Sequence, residues 1–348
     1  MPEAAVPPMP LPRRALLALA ATLTAPVARA SGTGAEAALA DEPVLLVAGP
    51  DEGRLAQWGQ RLALALAPGL PAGTRLRASC VGGEDGVTGA NQFTTRVPPD
   101  GNTLLLAPGE AVLAWLAGDP RARFDAAKWL GVMAGIAPCV VCGRPEAGAG
   151  GARIRVGMSG PLSPDLAALM GLELAGLAVA PVFGVLDQGS AAQALASRAV
   201  DAVLLRGAGL ATNLGPLAQV GATTLFTLGA QGGEGRDALL PEVPNLAEYA
   251  AARGTVPPAS LMAAWRGVAA AGQTEFALVL PQLTPAALVA LWRQAGTHAM
   301  AAAELHDPRG LTRGAADPQA LAQALAPDTA ALAALRGWLA ARLNWAPG

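Results

Sequence analysis

The chain has 348 residues, with 24 basic against 26 acidic side chains for a formal net charge of −2, and is 52% hydrophobic and 14% charged. That balance excludes nucleic acid or an anionic membrane surface as the main partner, and the apolar fraction excludes disorder over most of the length. A chain this long favours two domains, and because Ala, Gly, Pro and Arg abound while Lys128 and Tyr249 are the only residues of their types, alanine is discounted as a helix signal.

Arg13 and Arg14 precede the apolar run Ala15 to Val27, and Ala28-Arg29-Ala30 puts small residues at both cleavage-determining positions. This is the order of an export signal removed after Ala30, so the product is expected outside the cytoplasm, behind a flexible linker over 31–42. The run is too short to span a bilayer, and the paired arginines permit the twin-arginine route as well as the general secretory one. The longest uncharged stretch, Gly207 to Gly233, is broken by Asn213, Pro216 and glycines and does not read as a membrane span.

Beyond the linker the pattern alternates. Pro43 to Val47 reads as a strand, Gly49 to Gly53 as a turn and Leu55 to Leu66 as a helix; Arg75 to Val81, a glycine loop, Thr88 to Val97 and the strand Thr103 to Ala107 repeat it. A second unit opens with the strand Cys139 to Gly143 and continues through Arg153 to Met158, the helix Asp165 to Ala175, Val179 to Phe183, the helix Ala191 to Ala199 and the strand Ala202 to Leu205. Leu261 to Ala269 reads as a strand returning to the first sheet, before helices over Pro285 to Glu304, Asp317 to Leu325 and Asp328 to Leu343. The expected fold is α/β, a two-domain clamshell with a mostly parallel sheet and flanking helices in each domain. Domain one takes 43–137 and 264–348, domain two 138–263. Ligands of such sheets lie beyond the carboxyl ends of the strands, which makes the facing loops the place to look for function.

Cys80, Cys139 and Cys142 are an odd number for an oxidising compartment and form no disulfide framework. Cys139 and Cys142 have redox-motif spacing but lie in an apolar strand, where residues three apart face opposite sides, so buried unpaired thiols are expected. His298 and His306 lie far from them, and neither a metal nor a cofactor is implied.

Several segments together resemble the substrate-binding proteins of tripartite tricarboxylate transporters, the Bug or TctC type. They are Gly82-Gly83-Glu84-Asp85-Gly86-Val87-Thr88-Gly89-Ala90 with the later Pro99-Asp100-Gly101-Asn102-Thr103-Leu104-Leu105, then Phe124-Asp125 before Trp129, Leu240 to Glu248, Ala264-Trp265-Arg266-Gly267-Val268, and Ala271-Gly272-Gln273-Thr274. The resemblance implies a periplasmic receptor, not an enzyme, that holds a small carboxylate between two domains by backbone amides and water and delivers it as a monomer to membrane transporter subunits or a sensor. Two departures bear on the ligand. The first loop carries Asp51 and Glu52 before Gly53, where the family has small residues, and acids there repel a carboxylate or capture an amine. The segment around Phe183 and Gly184 lacks the family's tyrosine and lysine.

Within the loops, Gly83, Glu84, Asp85, Gly86 and Val87 offer free amides to an anion or simply form a tight turn. Ser159 and Gly160 are expected as contacts, with Ser163 as a helix cap. Arg206, after a strand and before Gly207, either grips a carboxylate in bidentate fashion or faces solvent. Tryptophans, Trp265 among them, are expected mainly as core anchors. A hydrolase is disfavoured by the absence of a G-x-S-x-G elbow, and a degenerate interaction ectodomain stands as the other alternative.

Overall fold

The computed structural model describes residues 39–144, 151–185, 187–230, 235–302, 305, 313–315 and 327–346. The expected leader, most of the linker, His306 and the helix expected over Asp317 to Leu325 lie outside the described residues.

In chain order the elements begin β1 (Val44–Val47), α1 (Arg54–Leu66), β2 (Arg77–Cys80), α2 (Val87–Arg96), β3 (Thr103–Ala107), α3 (Gly109–Leu116) and β4 (Leu130–Ile136). There follow β5 (Cys139–Gly143), β6 (Ile154–Met158), α4 (Leu166–Leu174), β7 (Val179–Phe183), α5 (Gln188–Ala196), β8 (Ala202–Arg206), α6 (Ala208–Gln219) and β9 (Thr223–Thr227). The chain ends with α7 (Leu246–Ala252), α8 (Ala259–Gln273), β10 (Thr274–Leu280), α9 (Ala286–Met300), β11 (Arg313–Ala315) and α10 (Thr329–Leu343).

Two sheets result, in the orders β11-β4-β10-β3-β1-β2 and β7-β6-β8-β5-β9. Both are mixed: β10 and β11 in the first, and β5 in the second, run against their neighbours. For β5 and β10 the cause is where the chain changes sheets. It leaves β4 through Ala137 and Pro138 straight into β5, and returns from α8 straight into β10. A strand entered at such a crossing starts at the edge where its parallel neighbours end, so it must run antiparallel to them. The two crossings touch, with the Ala137 amide donating to the Gln273 carbonyl at 2.8 Å.

Period-two alternation splits each central strand between two apolar layers. Leu45, Val47, Leu104 and Leu106 pack with α1 and α9 on the outer face of the first sheet, while Leu46, Leu105 and Ala107 face a layer that also takes Cys139, Val141 and Leu204 from the second sheet. The two sheets therefore share a middle layer. At its centre stands α8, packed on α3, α4 and α10.

Here the sequence-based expectation fails, because Leu261 to Ala269 belongs to this helix and not to a strand. From Ala264 to Gln273 every residue but Arg266 is buried, so no polar stripe marks the helical period. Discounting alanine then removes the one remaining helix signal. The return to the first sheet falls at Gln273 and Thr274 instead of near Ala264. Trp265, 1% exposed, donates its Nε1 hydrogen to the Ala167 carbonyl at 2.9 Å and is a core anchor.

Several of the resembling segments are structural. Gly101 turns at φ +77°, where a Cβ would meet Leu288 Cδ1 at 2.6 Å, and its carbonyl accepts from Trp292 Nε1. In Leu240 to Glu248 the last residues form a capping box for α7, in which Asn245 and Glu248 each accept the other's backbone amide.

Candidate functional site

The carboxyl ends of β1, β2, β3 and β8 and the first residues of β10 converge, and two cavities lie there. The smaller, about 240 Å³, is bounded by the Gly49 to Gly53 loop, Glu84, Pro108, Glu110, Arg54, Arg206 and Glu275. The larger, about 570 Å³, lies between α1, which contributes Arg54, Gln57, Trp58 and Arg61, and the α5 and α6 side, with Asp187, Gln188 and Asn213. Arg54 and Arg206 belong to both.

Arg206 ends β8 opposite Cys139, with a side chain only 15% exposed. It is therefore not the solvent-facing arginine that its residue type makes the default. Gln188 fixes its backbone, accepting the Arg206 amide at 2.6 Å. Burial works against the guanidinium charge, but Glu110 and then Glu275 outweigh it and hold the pKa above the ordinary arginine value. Among the described residues its one ion pair is long, 3.5 Å from Nη1 to Glu110 Oε1, and its Nε is buried with no acceptor. A guanidinium has five N–H donors, so this one is short of acceptors.

Glu275 is the second residue of β10, and its side chain is 3% exposed. Oε2 pairs with Arg54 Nη2 at 2.5 Å, while Oε1 is buried without a partner. Glu110 stands in the first turn of α3, where a negative charge meets the helix dipole favourably. Its helix start is pressed against the crossing, since a Cβ on Gly109 would lie 2.0 Å from the Ala271 carbonyl oxygen.

Of the residues expected at the site, Gly53, Glu84 and Arg206 border the smaller cavity, and the others border neither. Asp51 and Glu52 are exposed, and the Asp51 carboxylate adds to the burial that raises the pKa of the Cys80 thiol. Gly83 is exposed and its carbonyl accepts from Gly86, whose φ of +72° and contact with Pro108 fix the turn into α2. Asp85 points to Arg121, at 2.7 Å, and accepts the Val87 amide with its other oxygen, while the Val87 side chain is core. That amide is thus taken by the chain itself.

The Ser159 loop likewise closes on itself. Asp165 accepts from the Ser159 amide, the Ser159 hydroxyl and the Ser163 hydroxyl, and Ser163 also reaches the Gly160 carbonyl. Ser163 is consequently not the cap of α4, whose first residue is Leu166 with Asp165 before it. Phe183 ends the edge strand β7 at 52% exposure, and Gly184 follows at φ +100°.

Cys139 and Cys142 are free and buried in different apolar layers on opposite faces of β5, and burial pushes both thiols up to about 12. They are neither a redox pair nor nucleophiles at neutral pH. His298 is exposed in the last turn of α9. Among the described residues no three of His, Cys, Asp and Glu gather as a metal site, and no helix is long and apolar enough to cross a membrane.

No protein-family model matches the chain, and no curated protein matches it in sequence. Solved structures do. A TctC solute-binding protein from Polaromonas, without ligand, is 19% identical with a TM-score of 0.63, covering 87% of this chain and 98% of its own. MatC from Rhodopseudomonas palustris, with bound malate, is 18% identical with a TM-score of 0.52 over 86% and 99%. A second R. palustris protein, solved with adipate, is 18% identical with a TM-score of 0.50 over 88% and 99%. The chain has the fold of the TctC solute-binding protein and of MatC.

On that fold, Glu110, Glu275, Trp58 and Arg61 are the cavity residues that reading the sequence missed. Each left a trace. Glu275 is a lone acid at the head of an apolar strand, and Arg54, Trp58 and Arg61 recur at the spacing of one helix face. The Trp58 ring is 5% exposed, tilted on Phe276 at 5.0 Å, with the Arg61 guanidinium 5.4 Å from its centroid. Trp58, and not Trp265, is the tryptophan of the cavity wall.

Proposed function

We propose that the chain is an exported solute-binding protein of the tripartite tricarboxylate transporter type, which captures a small organic carboxylate between its two sheets and presents it, as a monomer, to membrane transporter subunits or a sensor. The observation that carries this reading is Arg206: a buried guanidinium in the wall shared by two cavities at the carboxyl ends of the strands, with an unfilled Nε donor. The malate and adipate held by two proteins of the same fold support the ligand class. In this reading Ala30 is the last residue of the leader, the protein works in the periplasm, and two lobes close about the adjoining crossings at Ala137 and Gln273.

The test is mass spectrometry of small molecules released from protein purified without added carboxylates, with thermal melting against malate and adipate. Release of an organic acid, or a melting temperature that rises with one, is expected. Turnover of an ester or amide with no stabilisation by any acid would replace the receptor reading with that of a hydrolase.

A further inference from the structure

The two cavities that meet at Arg206 differ in the charge they offer an anion. Around the smaller, Glu84, Glu110 and Glu275 outnumber Arg54 and Arg206. Around the larger, Arg54, Arg61 and Arg206 outnumber Asp187. Arg54 is already paired with Glu275 and the Asp187 carboxylate caps α5 through the Ser190 amide at 2.7 Å, which leaves Arg61 and Arg206 to face the cavity. The smaller cavity is also the one whose loops use their own polar groups: Asp85 takes the Val87 amide, and Glu110 stands against Arg206 as a built-in anion. A carboxylate entering it meets three like charges.

In the larger cavity Arg61 is a cation without an ion pair among the described residues. Its guanidinium rests over the Trp58 ring. Arg54 and Arg61 stand seven residues apart on the same face of α1, roughly 10 Å along the helix axis. Arg54 lies at the Arg206 end, since a Cβ on Gly207 would be 3.9 Å from its Nη2. Positive charge therefore sits at both ends of a trough, with an indole wall between.

We propose that the anion occupies this larger cavity, one carboxylate at Arg206 and a second at Arg61, and that the ligand class is an elongated dicarboxylate whose apolar middle lies along Trp58. Arg61 is then the residue that selects for length. The inference rests on the receptor reading and deepens it, moving the ligand from the glycine loop to the face of α1.

The straight-chain diacids succinate, adipate and suberate, of increasing length, test it by calorimetry on the wild-type protein, Arg61→Gln and Arg61→Lys. The expected result is affinity that rises with length in the wild type, falls at least five-fold for suberate in Arg61→Gln while succinate is unchanged, and is partly restored in Arg61→Lys. Arg61 is exposed, so the substitution leaves the fold intact, as an unchanged melting temperature without ligand would show. Binding that is independent of length, or equal in wild type and Arg61→Gln at every length, would overturn the proposal while leaving the receptor reading in place. If no diacid binds any variant but another acid is released from the purified protein, the dicarboxylate assignment alone falls. If nothing is released either, both fall.

Discussion

The two cavities at Arg206 share that cation and Arg54, and differ in the other charges around them. On one side lie Glu84, Glu110 and Glu275, and on the other Arg61, Trp58, the helix-capping Asp187 and uncharged side chains. A buried guanidinium needs a counter-charge, and here the chain supplies one on a single side. The sign of a site is therefore set by neighbours that lie far apart in sequence, and an arginine at a strand end does not by itself define an anion site.

The change expected to disturb this contrast most is Gly109→Ala. The added methyl would lie 2.0 Å from the Ala271 carbonyl oxygen and 2.8 Å from that of Thr274, both backbone atoms that cannot yield cheaply. The start of α3, which carries Glu110, would be driven from the crossing at a cost of about 3 kcal/mol. Urea unfolding should show a lower midpoint with an unchanged slope. A midpoint equal to the wild type would mean that the acidic wall is not held by this close approach.

Next is Arg206→Ala, which removes a shared cation. Ligand affinity should fall by ~1.5–3 kcal/mol, the range for a hydrogen bond to a charged group, and the protein should also lose stability because Glu275 keeps only Arg54 as counter-ion. Calorimetry with the natural ligand checks the first effect. Lost stability with unchanged affinity would make Arg206 a structural cation for Glu110 and Glu275 alone.

A smaller effect concerns why Asp85 stays out of the acidic cavity. Asp119, 3% exposed, accepts from the Arg121 amide at 2.9 Å and Nη2 at 2.6 Å, and Arg121 in turn holds Asp85 at 2.7 Å. Burial alone would raise the Asp119 pKa, but the hydrogen bonds and charge of Arg121 bring it below the usual carboxylate range. A depressed folded-state pKa gives stability that is present above the unfolded value, near 3.9, and is lost as pH falls through the lower folded value. Asp119→Asn should cost roughly 1.5 kcal/mol at neutral pH, since Arg121 is largely exposed, and should flatten the loss of stability below about pH 4. Urea midpoints across pH 3 to 7 would show it, and an unaltered acid limb would remove Arg121 as the cause.

How much of this was legible in the sequence depends on the range of the interaction. Short-range patterns read well: Thr103 to Ala107, Cys139 to Gly143 and Val179 to Phe183 are strands with the expected bounds, and the opposed faces of Cys139 and Cys142 follow from the period of a strand. The helix α8 did not read, because burial on nearly all sides erases periodicity. Nor did β4 or α3, which surround the crossing. At the site, Arg206 stood out by its place after a strand, while Glu110 and Glu275, 96 and 69 residues distant from it, reach it only through the fold. The glycine loop was visible too, yet whether its amides are free depends on Asp85 and Arg121, which no local pattern reveals.

The smallest predicted effect sharpens the contrast at its rim, in the loop where Asp51 and Glu52 replace the small residues of the resembling family. Asp51 is turned toward Cys80 at the end of β2, outside both cavities. The Cys80 pKa is raised by burial first, and then by the hydrogen bond to the Asp51 carboxylate and its negative charge. Since the thiolate is the reactive form, Cys80 should react with iodoacetamide at pH 8 more slowly than a free thiol, and Asp51→Asn should speed it by a few-fold by lowering that pKa. Cys139 and Cys142, pushed up to about 12, should stay unmodified in both proteins, which provides the internal control by mass spectrometry. The same variant should leave carboxylate affinity unchanged, because the charge removed faces the thiol and not the ligand. A tighter carboxylate in Asp51→Asn, with no change at Cys80, would turn the first loop back toward the smaller cavity and make its acid part of the site.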